Sequence, residues 1–201
     1  MTLKIARLHC LLAMFTVVAL SLGGVDSRAD PTPSETKGSE FGLKLANAAL
    51  GQRWTLTIYN PAYVKIAYPN GDVPWYFGVC TDVIVRAYRK LGIDLQQRVH
   101  RARVGSGDTN IDHRRVNVLR RFFSRYGKSL STAKDPDLYQ PGDIVTYYVP
   151  DGRYSKTHVA IVTQHKSANG IPLVVHNRGL SVQLEDWLFG SKITGHYRYG
   201  G

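Results

Sequence analysis

Cysteine is nearly absent: the 201 residues hold two. Cys10 lies in the N-terminal apolar run, so from residue 30 onward Cys80 is the single thiol, which excludes a fold stapled by internal disulfides. None of the usual metal-ligand spacings, HxH, HExxH or CxxC, occurs, and no metal or other cofactor is expected. Beyond the N-terminal segment there is no run of 18 apolar residues, so no stable membrane span is expected in the mature chain. Acidic residues are also scarce, 15 against 26 lysines and arginines, for a formal charge of +11. The arginines are scattered ("RVHRARVG", "DHRRV", "LRRFFSR") and fit no nucleic-acid-binding module, so nucleic acid is not an expected partner. No internal repeat or low-complexity tract is visible.

What is present starts with a leader. Residues 1–29 place Lys4 and Arg7 before an apolar run from Cys10 to Leu22 and end in the small-residue segment up to Ala29, the order of a secretory signal peptide. The chain is therefore expected to be exported, to the periplasm or outside the cell. Residues 30–38, "DPTPSETKG", suit a flexible leader, and 39–201 suit a single domain long enough to bury a full core. Loss of Lys4, Arg7, Arg28 and Asp26 takes the charge from +11 to +9. Outside the cytoplasm, such a surface is expected to meet an anionic envelope polymer.

Helical spacing of Phe41, Leu45, Ala48 and Ala49 predicts a helix over 39–50, and alternation in "WTLTIY" predicts an extended segment over 54–59. In "CTDVIVRAYRKLG", Val83, Ala87 and Leu91 share a face and Gly92 ends the run, so a helix begins at or just before Cys80. A basic, glycine-containing segment (98–112) precedes a third helix over 115–126. From Pro141 the period shortens: 142–149, 158–164, 172–177 and 193–199 read as strands, with "LEDWLF" as a short helical insert. Helices first and tightly spaced strands second give an α+β pattern with an antiparallel sheet.

A thiol in the first turn of a helix meets unpaired N–H groups and the positive end of the helix dipole, which favour the thiolate. Catalysis also needs a base and a group to orient it. His158 opens one strand and His176 ends the next, so a hairpin sets them on one edge. Asp82 raises a question, because a carboxylate facing the sulfur opposes the thiolate. Zinc remains open in principle through Cys80, His158, His176 and one of Asp82, Asp112 or His196.

The order of a helix-borne Cys80, "PGDIVTYY", "HVAIV" and a strand ending in His176 resembles the papain-like cell-wall cysteine peptidases of the NlpC type. More closely, "YPNGDVPWYFGVCTDVIVRAYRKLGIDL", "NIDHRRVNVL", "VVHNRG" and "ITGHYRY" resemble an exported bacterial family known as domain of unknown function 1287. The resemblance implies a papain-like α+β domain, with the Cys-bearing helix packed on an antiparallel sheet. It implies Cys80 as nucleophile, His158 as general base and acid, His176 as its orienting partner, and Tyr76 lining the site. The activity implied is hydrolysis of an amide bond in peptidoglycan peptides. The alternative is a non-catalytic module on the same scaffold that binds peptidoglycan or another envelope component, and a thiol redox protein or an inert buried thiol are further readings. Asp112, His113, Arg114 and Arg115 read either as a rim binding substrate carboxylates or as structural, with Asp112 capping the third helix.

Overall fold

A computed structural model describes residues 33–200, with side chains from Glu40 onward; the expected signal peptide lies outside these residues. Helix α1 runs Pro33–Leu50, longer than the 39–50 expected. Proline is well placed at the first helical position, where its missing N–H is no loss, so most of the segment expected as a flexible leader has a helical backbone. A 3₁₀ turn (Gly51–Trp54) follows, and the extended segment pairs only briefly: β1 (Ile58–Tyr59) lies parallel to β2 (Phe77–Gly78). Trp54, Leu56 and Ile58 stay exposed, so the alternation there marks no core face.

Helix α2 spans Cys80–Lys90. The next helix, α3 (Leu95–Ala102), is not among the helices expected and runs into the start of the basic, glycine-containing segment 98–112. Its buried face includes Leu95 and Val99, too short an apolar signal to register as a period. Asp94 caps it by accepting the Gln97 N–H at 3.1 Å. Helix α4 (Val116–Tyr126) matches the third helix expected.

One antiparallel sheet of six strands follows: β3 (Lys128–Ser129), β4 (Ile144–Tyr148), β5 (Thr157–Lys166), β6 (Pro172–His176), β7 (Gln183–Glu185) and β8 (Lys192–Arg198), in the order β3-β8-β4-β5-β6-β7. The "LEDWLF" insert is not helical. Its first residues join β6 as an edge strand, because ladder bonds to a buried neighbour outweigh local helix propensity.

Alternation along the central strands splits the core in two. Ile144, Val159, Ile161 and Val175 face the helices and pack with Leu45, Ile84, Tyr88, Leu119 and Phe123. Val145, Ala160, Val162 and Val174 face the other way, beneath Tyr147, Leu188, Trp187 and Phe189. The fold is therefore the expected α+β arrangement, with the Cys-bearing helix laid on an antiparallel sheet and its N-terminus directed at the start of β5.

Candidate active site

Cys80 is the first residue of α2 and is buried, at 3% exposure. Burial pushes its thiol up to about 11, against the pull of the Val159 backbone N–H; Asp82 adds to the rise, while the Tyr59 hydroxyl and the Thr81 N–H favour the thiolate. At neutral pH this sulfur carries its proton. Asp82 is held away from the role its position threatened. Its Oδ2 accepts the Val79 N–H at 2.7 Å, completing the helix N-terminus, and both oxygens receive the Arg114 guanidinium at 2.8 and 2.9 Å. A buried, bidentate partner neutralises it, which limits what it subtracts from the thiol.

On the sheet, His158 is the second residue of β5 and 6% exposed, and His176 ends β6 at 0%. His158 Nε2 lies 2.8 Å from His176 Nδ1, and His176 Nε2 lies 2.5 Å from Glu185 Oε2 on β7. Protonation along this row follows from acceptor chemistry. A carboxylate only accepts, so His176 Nε2 bears the hydrogen. Neutral His176 then offers a lone pair at Nδ1, which requires hydrogen on His158 Nε2 and leaves the His158 lone pair on Nδ1. Burial, then His176 and Arg178, holds His158 well below the ordinary histidine range, so it is neutral at pH 7. Its bond to His176, opposed by burial but aided by Arg178, brings Glu185 down to about 2. Trp187 covers the row, 5.5 Å from the His158 ring and 5.4 Å from that of His176, and Arg178 lies over the indole at 4.6 Å.

Thiol and imidazole approach the start of β5 from its two sides. Val159 packs in the helix-side core with Cys80, whereas His158 packs beside Tyr147 and Trp187. Among the described residues no hydrogen bond joins the two side chains. Two cavities flank them: one of about 390 Å³ bordered by Cys80 and one of about 350 Å³ bordered by His158, sharing Tyr59, Tyr154, Ser155 and Thr157. Tyr59 and Tyr154 stack at 4.4 Å between ring centroids and form the common wall.

Other expected site residues lie elsewhere. Tyr76 is 42% exposed among Trp75 and Phe77 and borders neither cavity; the tyrosine beside the thiol is Tyr59. Asp112, His113 and Arg114 are buried rather than set on a rim. Asp112 accepts from Ser106 Oγ (2.9 Å) and the Gly107 N–H (2.8 Å), tying up a loop in which a side chain at Gly105 would collide with its carboxylate. It therefore holds the 105–107 loop instead of capping α4, whose N-terminus begins from Arg115. Burial brings His113 down to about 4. Of the four, Arg115 alone is exposed, and with Arg114 it borders the Cys80 cavity. The further zinc candidates are engaged as well: Asp82 by Arg114, Asp112 by the loop, and His196 by Asp143 at 2.9 Å.

A family model described as "Domain of unknown function (DUF1287)" matches residues 46–199. The chain belongs to that family. The DUF1287 match contains α2 and all six strands of the sheet, and with them Cys80, His158, His176 and Glu185. Among curated proteins, "Uncharacterized protein YijF" of Escherichia coli (strain K12) is 41% identical over 169 residues, covering 78% of this chain and 81% of YijF. Two solved structures from Trichomonas vaginalis, NlpC2 and NlpC1, match 86% of the chain with TM-scores of 0.49 and 0.44 and identities of 18% and 15%. The DUF1287 chain spans about half the length of each, 48% and 46%. Likenesses this distant say nothing about chemistry.

Glu185 and Tyr59 were beyond sequence reasoning. Glu185 sits in a stretch whose pattern reads helical, and Tyr59 is 21 residues upstream of the thiol; neither carries a motif that would mark it.

Proposed function

We propose that this DUF1287 protein is an exported cysteine hydrolase that cleaves an amide bond in peptidoglycan peptides. One observation carries the reading: the row Glu185–His176–His158 fixes the histidine tautomers so that a basic Nδ1, unpaired among the described residues, lies beside a cavity that shares the Tyr59–Tyr154 wall with the one Cys80 borders. A buried neutral thiol and a buried neutral imidazole, brought to the start of β5 from its two sides, suit general-base activation at the moment of attack, in place of a standing ion pair.

In this mechanism His158 Nδ1 takes the Cys80 proton as the sulfur attacks the carbonyl carbon. Positive charge on His158 is shared through His176 toward Glu185. The oxyanion meets the Cys80 N–H at the start of α2 and the Tyr59 hydroxyl. The intermediate collapses as the C–N bond breaks, His158 gives its proton to the leaving amine, and a thioester remains. Water, deprotonated by His158, then releases the acid and restores the thiol. Each proton taken is returned, and no oxidant or reductant is consumed.

The test is incubation of the full chain with purified peptidoglycan and titration of newly formed amines. Wild type is expected to release them and Cys80→Ala to release none; a Cys80→Ala protein that still does so sinks the proposal. The second reading, a binding module on the same scaffold, draws on the thiol held near 11. It is the one to adopt if wild type binds peptidoglycan without releasing amines.

A further inference from the structure

We propose that the exposed arginine face of α4 is a binding groove for the acidic side of an extended peptide, leading away from the thiol. A cavity of about 590 Å³ runs along α4 and is bordered by Asn117, Arg120, Arg121, Ser124, Arg125 and Tyr197. The five helix residues recur at i, i+3, i+4, i+7 and i+8, a single stripe of the helix. It contains three cations and no carboxylate.

Five arginines of the described residues are matched to acids. Arg86 and Arg89 share Asp72, Arg114 holds Asp82, Arg178 meets Glu185 and Arg198 meets Asp143. Arg120, Arg121 and Arg125 have no such partner among the described residues. Two of them are nonetheless held in place by backbone carbonyls: Arg120 Nη2 donates to Thr194 O at 2.9 Å and Arg121 Nε to Val104 O at 2.7 Å. Arginines fixed in position without counter-ions are prepared for an incoming anion, and side-chain entropy is already spent.

The class of anion follows from where the groove leads. Asn117 and Arg121 border this cavity and also the one that Cys80 borders, so the two adjoin. Arg115, exposed at the start of α4, borders the Cys80 cavity. A chain with its amide at the thiol and several carboxylates to one side places those carboxylates along the arginines, where the guanidinium fork matches them bidentately. This assignment rests on the hydrolase reading for its direction, and it moves substrate recognition from the buried Asp112, His113 and Arg114 to α4.

Binding is measured on the full-length Cys80→Ala protein, by fluorescence anisotropy with a labelled (Ala-Glu)3 peptide, its (Ala-Gln)3 counterpart, and a polyphosphate of equal charge as competitor. The glutamate peptide is expected to bind about tenfold or more tightly than the glutamine one, and Arg121→Ala/Arg125→Ala to remove most of that difference. Raising salt should weaken the interaction, and Lys134→Ala, away from the groove, should leave it unchanged. Thermal unfolding of the double variant checks that it folds. The proposal is overturned if wild-type side chains on α4 confer no preference for glutamate, if the double variant binds equally well, or if polyphosphate competes with equal affinity, which makes the face a general anion surface. Amine release separates the two readings. A groove that binds without turnover refutes the hydrolase and keeps the groove, whereas turnover unaffected by Arg121→Ala/Arg125→Ala refutes the groove and keeps the hydrolase.

Discussion

The sheet carries two clusters built from the same chemistry, histidine against carboxylate against arginine, and they differ in what is left over. On β4 and β8, Asp143 is fully buried and receives His196 Nε2 (2.9 Å), the Arg198 guanidinium (2.7 and 2.9 Å) and the Gln140 N–H (2.8 Å). The remaining nitrogen of His196 reaches Ser131 O at 2.7 Å, and Tyr139 stacks on the ring at 4.2 Å. Both nitrogens of the buried imidazole are used. Burial pulls Asp143 up, but the bonds from His196 and Arg198 outweigh it and keep the carboxyl below its usual range. On β5, β6 and β7 the row ends differently, at a His158 nitrogen without a partner among the described residues, at the edge of a cavity. A closed cluster fastens the fold; an open one holds a lone pair ready for chemistry.

Replacing the two carboxylates tests that contrast, and the largest effect is expected at the closed cluster. Asp143→Ala leaves His196 Nε2 without its acceptor in the interior and the part-buried Arg198 without its acid, and should cost about 3–5 kcal/mol in urea unfolding. Glu185→Gln should change stability far less, because that carboxyl is partly exposed, yet lower amine release by about ten- to a hundredfold, since an amide can donate as well as accept and no longer imposes the tautomer. Nitrogen chemical shifts of the two imidazoles report that tautomer directly, without relying on turnover. Equal losses of stability, or unchanged shifts in Glu185→Gln, would erase the distinction.

Acid should act on the open cluster first. His158 and His176 are both held below the ordinary histidine value of 6.5, chiefly by burial, and His113 is held at about 4. Each is neutral in the fold, while in the unfolded chain each gains its proton on descending through 6.5, so stability is complete above that pH and declines beneath it. Glu185, at about 2, adds a loss that begins below its unfolded value of 4.5. Denaturant midpoints between pH 8 and pH 4 measure the slope; a flat profile contradicts neutral burial. The smallest effect concerns the thiol. With Cys80 near 11, alkylation by iodoacetamide should climb throughout the range from pH 7 to pH 10, and Tyr59→Phe should slow it by a few-fold at most, as loss of one weak hydrogen bond does. A plateau already at pH 7 would mean a standing thiolate.

Much of this was legible in the sequence, for identifiable reasons. The helix at Cys80 declared itself through periodicity and a terminal glycine, and the strands through alternation between turn residues, so the Cys80, His158 and His176 positions followed from local signals. Glu185 did not, because "LEDWLF" carries helical spacing and became an edge strand only when β6 offered it a ladder. Tyr59 did not, because a two-residue strand pairing across 19 residues leaves no local trace. Asp112, His113 and Arg114 read as a polar rim because charge in a loop ordinarily faces water, whereas here Asp82 pairs with Arg114, the 105–107 loop holds Asp112, and His113 is buried as a neutral ring.

Arg114 joins three stretches of chain through one side chain: it grips Asp82 at the head of α2 and reaches the carbonyls of Asn60 and Ala62 at 3.5 and 3.4 Å, while its own carbonyl accepts the Thr81 hydroxyl at 2.8 Å. The wall around the thiol is thus a single mechanical part. In amide exchange, Val79 with the first turn of α2 and the 112–114 turn should open together as one cooperative unit, and Arg114→Lys should let them open separately.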